Sequence, residues 1–331
     1  MSKGTERENL MQVHFWGTRG SLPASITTKI IEAKIFKAIQ AAQAYKLATD
    51  EAIKTFIRNE LPFCIRESYG GNTSCVEIAS QAEYMVCDAG TGLRDFGNHY
   101  MKAKMSGQKN LPNVFNIFLS HLHWDHIQGF PFFTPAFIPG NRINIYGYHK
   151  ALEQTFVNQQ HEPCFPVPLQ AMRADISFHV LEPDKIYNIA GVKVTGIKQH
   201  HPGDSYGYCF LKDGRKVVYS TDSEHNEGAR DDHYRFIEFF KNADLLIFDA
   251  QYSFLDAIDA KENWGHSSNL LGVELALRAG VKRLCLFHHE HTLDDEALDQ
   301  FLNDTRKYLK IMDGSSNLEI HLAYDDLTLE L

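Results

Sequence analysis

The chain has 331 residues, 44% hydrophobic and 23% charged, enough apolar content to bury a core and unlike disordered, collagen-like or fibrous chains. Its 33 Lys+Arg against 42 Asp+Glu leave a formal net charge of −9, so capture of extended nucleic acid or an anionic membrane by a net positive face is not expected. No run reaches the roughly 20 apolar residues of a membrane span, and the opening MSKGTEREN lacks the basic-then-apolar order of a signal peptide; a cytoplasmic location is expected.

Short apolar, β-rich runs predict strands at 13–15, 75–78, 84–87, 114–119, 142–146, 192–197, 217–219, 245–248 and 283–287. Between the first two lies a segment, 24–66, with Ile31, Ile35, Ala38, Ala42 and Tyr45 at helical spacing and Thr49 or Asp50 as a cap for a second helix. It reads as an inserted helical hairpin serving as surface decoration, lid or dimer contact. Helical periodicity returns at 232–241, at 268–279 with Gly280 as a C-cap, and at 294–311. Strands followed by helices in each half predict an α/β layered domain. The cysteines Cys64, Cys75, Cys87, Cys164, Cys209 and Cys285 form no CxxC pair and read as free thiols of a reducing compartment.

The run VFNIFLS ends in His121-Leu122-His123-Trp124-Asp125-His126. In an extended chain alternate residues share a side, so His121, His123 and Asp125 are expected to converge while His126 points elsewhere, which suits two metals better than one. The spacing excludes the i,i+4 histidine pair of a zinc helix. Other apolar runs also end in ligand-type residues: MVC in Asp88, VKVTGIKQ in His200-His201, RKVVYST in Asp222, LLIF in Asp249, and CLF in His288-His289. Strand ends that deliver His and Asp to one sheet edge build a metal site from residues distant in sequence.

These residues resemble the metallo-β-lactamase superfamily, whose HxHxDH motif is matched by His121, His123, Asp125 and His126. The RNase Z-like branch of phosphodiesterases is resembled further through FWGTRGS at 15–21, YGGNTSC at 69–75, DAGTG at 88–92, HPG at 201–203, STDSEH at 220–225, GHS at 265–267 and FHH at 287–289, covering most of the chain outside the insert. The resemblance implies a single αββα sandwich over 1–331 with two divalent ions at its edge, most often Zn2+, with Mn2+ or Fe2+ as alternatives, and a homodimer. Position by position, His121, His123 and His201 would hold one ion, Asp125, His126 and His288 the other, and Asp222 would bridge them. His201 takes precedence over His200 because it precedes Pro-Gly, and His288 over His289 because it follows the strand directly. Asp88 would orient a ligand histidine.

A hydroxide held between the ions would attack phosphorus. His266 would protonate the leaving alkoxide, oriented and kept protonated by Asp249; Asp125 also counts among the catalytic residues. Arg19, Asn72 and Ser267 are candidate substrate contacts, although a tight turn or a helix cap accounts for them equally well. The stretch 139–192 holds no basic, Gly/Pro-containing arm of the kind that grips tRNA in RNase Z. A small phosphodiester is therefore expected as substrate, a cyclic nucleotide first, with Trp124, Phe130, Phe132, Phe133 and Trp264 as candidates to stack a base. The alternatives are a tRNA 3′ endonuclease, a metal-holding sensor or scaffold whose insert binds a partner protein, and a lactam or thioester hydrolase.

Overall fold

The computed structural model describes residues 11–79, 83–225, 227–231, 233–252 and 264–331. Residues 1–10 of the expected domain and Asp232, at the start of one expected helix, lie outside the described residues.

Two sheets of seven strands face each other. The first contains β1 (Gln12–Gly17), β2 (Cys75–Ala79), β3 (Tyr84–Cys87), β4 (Val114–Phe118), β5 (Arg142–Gly147) and β6 (Asp175–Val180) in chain order, with the last strand, β14 (Thr328–Glu330), beside β1. The second contains β7 (Tyr187–Ile189), β8 (Val192–Gln199), β9 (Ser205–Lys212), β10 (Arg215–Ser220), β11 (Leu245–Asp249), β12 (Arg283–Phe287) and β13 (Glu319–Leu322), again with chain neighbours paired.

Strands β3 to β6 run parallel, as do β10 to β13. Parallel neighbours need crossovers, and helices supply most of them. Helix α4 (Gly92–Met105) joins β3 to β4; α6 (Leu152–Gln159) lies between β5 and β6; α7 (Arg235–Phe240) joins β10 to β11; α8 (Asn269–Arg278) joins β11 to β12; α9 (Asp295–Met312) joins β12 to β13. In such a topology the carboxyl ends of the strands share one edge, where loops are free to carry chemistry.

Three apolar layers hold the stack. Val13, Phe15, Phe118, Tyr208, Tyr219 and Phe287 fill the space between the sheets. Leu93, Phe96, Phe115 and Phe133 bury the outer face of the first sheet, and Phe236, Phe240, Phe248 and Val273 that of the second. The strand β11 is buried at all five positions because both of its faces are covered, which is why it reads as a continuous apolar run rather than an alternating one. The architecture is the expected αββα sandwich. No helix among the described residues is long and apolar enough to cross a membrane.

The insert forms α1 (Thr28–Ala42), α2 (Asp50–Asn59) and the single turn α3 (Phe63–Arg66). Thr27 and Thr49 cap the two long helices by accepting from the N–H of Ile30 and Ala52. Lys34 ties α1 to the body through Asp295, yet α1 buries no residue.

The helix α4 and the strand β9 do not emerge from periodicity, and glycine is the reason. Gly97 interrupts α4 at about 1 kcal/mol of helix propensity, but a Cβ there would lie 2.9 Å from the Phe133 ring, so close packing requires it. Gly207 similarly breaks β9, against the Gln199 side chain.

Candidate metal centre

Each expected ligand stands just past a strand's carboxyl end. Asp88 follows β3, the 120–126 loop follows β4, His201 follows β8, Asp222 follows β10 and His288 follows β12, while Asp249 closes β11. Asp88, Asp222 and His288 have φ of 60°, 51° and 62°. Left-handed backbone is costly for residues with a Cβ and tends to persist where function depends on the position. Here it turns three side chains out of their strands toward a common centre.

Two trios share Asp222. The Nε2 atoms of His126 and His288 lie 3.2 Å apart, each 3.2 Å from Asp125 Oδ2 and 3.3 Å from Asp222 Oδ1. On the other side, His201 Nε2 is 3.2 Å from His123 Nδ1, and Asp222 Oδ2 is 3.7 Å from His121 Nε2 and 3.8 Å from His201 Nε2. One carboxylate oxygen therefore faces each trio. The 120–126 segment does not sort its side chains by strand alternation. A helical turn, α5 (Trp124–Ile127), begins after His123 and swings His126 inward beside Asp125 instead of away from it.

The outer nitrogens fix which lone pairs face inward. His126 Nδ1 donates to Asp88 Oδ2 at 2.7 Å, and His201 Nδ1 donates to the Gly265 carbonyl at 2.9 Å. His121 Nδ1 pairs with Ser120 Oγ at 3.0 Å, which itself donates to Asp88. In its neutral form each ring thus carries its proton on the outer nitrogen and presents Nε2 to the centre. His288 is held by packing instead. Its ring stacks on His266 and His126, and a Cβ on Gly20 would come within 2.5 Å of it. Asp125 is positioned by the Ser21 N–H, 2.8 Å from its Oδ2.

This donor set fits divalent ions. His121 Nε2 is buried with no hydrogen-bond partner, a costly orphan unless something electropositive meets it. His121, His123 and His201, His121, His126 and Asp222, and Asp125, His126 and His288 each present donor atoms within 4.8 Å of one another. Burial alone would raise the Asp222 carboxyl, but the His288, His126 and His121 rings facing it hold it well below the usual carboxylate range. Burial also keeps His121 well below its ordinary value, in the neutral form that a metal ligand needs.

His266 lies at the rim, with Nδ1 2.9 Å from Asp249 Oδ2 and 3.9 Å from Asp222 Oδ2. Burial works against its charge, but Asp249, by both charge and hydrogen bond, and then Asp222 and Asp125 lift it to about 9. Asp249 is itself fixed by the Ser223 N–H.

The expected substrate contacts are occupied elsewhere. Arg19 is 3% exposed and its guanidinium donates to the carbonyls of Gly70, Glu290 and Leu293, so it braces the loop that carries Ser21. Asn72 donates to Trp16 O and Asp95, and Ser267 donates to Ser223 O. Ser268, not Ser267, caps α8. Of the paired histidines, His200 is exposed and outside the cluster, and His289 is buried against Ala323 O. Phe130 and Phe133 belong to the core, whereas Trp124, Phe132 and Trp264 are exposed. Sequence reading missed Tyr219, whose hydroxyl crosses between the sheets to Asp88 Oδ2 at 2.7 Å. A tyrosine in an apolar strand carries no sign of that reach.

His225, the last residue of STDSEH, is a core residue. It is stacked on Phe248, bonded through Nδ1 to Tyr234 and held at about 3 by burial and then by His200. Below pH 6.5 the unfolded chain takes up a proton there that the folded chain refuses, so this contribution is full above 6.5 and is lost as pH falls toward 3. Moving from pH 6.5 to 4.5 should cost about 2–3 kcal/mol through this residue. Urea unfolding at both pH values should show a smaller loss for His225→Gln than for wild type.

A sandwich carrying two histidine and aspartate trios bridged by one carboxylate defines a metal-dependent hydrolase. A model of the beta-lactamase superfamily domain matches residues 83–289, more than half of the chain. Ribonuclease Z of Thermoplasma acidophilum is 23% identical over 267 residues, 65% of this chain and 81% of that one. Ribonuclease Z of Cyanothece sp. is 24% identical over 320 residues, 80% and 93% of the two chains. Among solved structures, the metallo-β-lactamase fold protein YhfI of Bacillus subtilis superposes with a TM-score of 0.61 at 20% identity, over 98% of this chain and all of that one. The chain belongs to the metallo-β-lactamase superfamily and is RNase Z-like within it.

Proposed function

We propose that this chain hydrolyses a small phosphodiester, with a cyclic nucleotide as the favoured substrate, using two divalent ions, preferentially Zn2+. His121, His123 and His201 would hold one, Asp125, His126 and His288 the other, with Asp222 between them. The observation that carries the reading is the pairing of that seven-residue cluster with the His266–Asp249 couple at the same rim. Bound there, the ions would neutralise charge on phosphoryl oxygens and lower the pKa of water from about 15.7 toward 7.

The chain's own residues do the rest. Asp88 and the Gly265 carbonyl keep ligand rings oriented, so little reorganisation is needed on binding. His266 holds its Nδ1 proton on Asp249, leaving Nε2 as the atom that gives a proton to the leaving alkoxide. Asp249 has no free role of its own, being spent on His266 and two backbone N–H groups, which marks it as a positioning residue.

Purified chain should contain about two transition-metal ions and hydrolyse bis(p-nitrophenyl) phosphate and one or more 3′,5′- or 2′,3′-cyclic nucleotides. Removing the ions with a chelator should abolish both activities, and Zn2+ should restore them. A chain that binds no metal under any loading condition would overturn the reading. The names of the curated relatives support a second substrate, a precursor tRNA cut at its 3′ side. Cleavage of that RNA with steep salt dependence, and no turnover of cyclic nucleotides, would favour it. A net charge of −9 weighs against it.

A further inference from the structure

We infer that the depression lined by Trp124, Phe132, Phe165 and Gln128 is the subsite that holds the base of the substrate. This rests on the phosphodiesterase reading and adds to it a position for the part of the substrate that is not cut.

Trp124 is flanked in sequence by His123 and Asp125, one from each metal trio, and its side chain is 81% exposed. It is the first residue of α5, the turn that sets Asp125 and His126. Beyond it the run Phe130-Pro131-Phe132-Phe133 divides. Phe130, Pro131 and Phe133 are buried, while Phe132 turns outward at 56% exposure and meets Phe165 edge to face at 5.5 Å. The cavity between these rings has a volume of about 380 Å³, within the range of small-molecule sites.

Two further observations favour a planar, polar-edged ligand over a plain apolar one. Gln128, on the wall, donates its amide N–H to Thr73 Oγ1, which leaves the amide oxygen available as an acceptor. Asn158 accepts from Gln154, which leaves its amide N–H groups available as donors. Aromatic faces with amide groups at their edge match a heteroaromatic base, which offers a π-face for stacking and donors and acceptors around its perimeter. Trp124, set between His123 and Asp125 in the chain, joins this depression to the metal trios, as the two ends of one nucleotide require.

The test has two arms. In the first, adenosine, guanosine, cytidine and uridine are titrated against the metal-loaded chain by ligand-observed NMR. At least one should bind, about tenfold or more weaker to Trp124→Ala and Phe132→Ala, with Trp124→Phe retaining most of the affinity. In the second, the wild-type preference in kcat/KM for a cyclic nucleotide over the base-free ribose cyclic phosphate should fall about tenfold or more in Trp124→Ala, chiefly through KM. Nucleosides that fail to bind, or bind both alanine variants as tightly as wild type, would overturn the assignment. If wild type cleaves neither ester, the phosphodiesterase reading falls, and the nucleoside titration alone decides the subsite.

Discussion

Asp222→Ala should reduce hydrolysis of every phosphodiester to background and lower the metal content from about two ions per chain to one or fewer. The loss should exceed the roughly 10²–10³ that removal of a single electrostatic partner of a transition state costs. Asp222 is the residue whose two oxygens face different trios, with Oδ1 toward His126 and His288 and Oδ2 toward His121 and His201. Without it each trio keeps its imidazoles, but the negative charge common to both is gone and the two positions lose their link. The fold should survive, because Asp222 sits in the loop after β10 rather than in a strand ladder. Asp222→Asn separates charge from shape, since it keeps the side chain's size and one carbonyl oxygen. It should retain more metal than the alanine variant while remaining nearly inactive. Elemental analysis and a thermal melt alongside the assay check each point. Two tightly held ions with only a modest loss of rate would remove Asp222 from the bridging position.

Much of this arrangement is legible in the sequence because the fold writes it locally. Apolar runs covered on both faces read as strands, and His or Asp directly after them reads as chemistry, since a polar group at the end of a buried strand would otherwise cost desolvation. The insert is equally legible from its spacing and its Thr49 cap. What escapes is set by three-dimensional partners. Nothing near Tyr219 in sequence announces Asp88, which lies on the other sheet. The inward turn of His126 depends on a four-residue helix, too short to show periodicity. Arg19 looks like a phosphate ligand in a Gly-rich loop, but its carbonyl acceptors lie about fifty and more than two hundred residues away, so its structural duty appears only in the folded chain. The insert shows the converse: Ile31, Ile35 and Tyr45 mark its first helix by their spacing, and the folded chain leaves them exposed.

The second large effect is expected at His266. His266→Ala should cost roughly 10²–10⁴ in rate while leaving the metal content near two, if its task is to protonate the leaving group. The geometry supplies a competing role that the same variant separates. His266 Nδ1 lies 3.9 Å from Asp222, and His201, Asp222 and His266 also present donor atoms within 4.8 Å of one another. A ligand histidine would take an ion with it when removed; a proton donor would not. The dependence on the leaving group gives a further distinction. An ester with an acidic leaving group, such as bis(p-nitrophenyl) phosphate, needs little protonation and should lose much less rate than a cyclic nucleotide whose alkoxide leaves poorly. Asp249→Asn should act through the same ring. Its carboxylate is fully buried and engaged with His266 and the N–H groups of Ser223 and Gln251, so its removal should be costly alone but add little once His266 is already alanine. Equal losses on both classes of ester, additive with Asp249→Asn, would show that His266 supports the centre structurally and that the leaving group draws its proton from elsewhere.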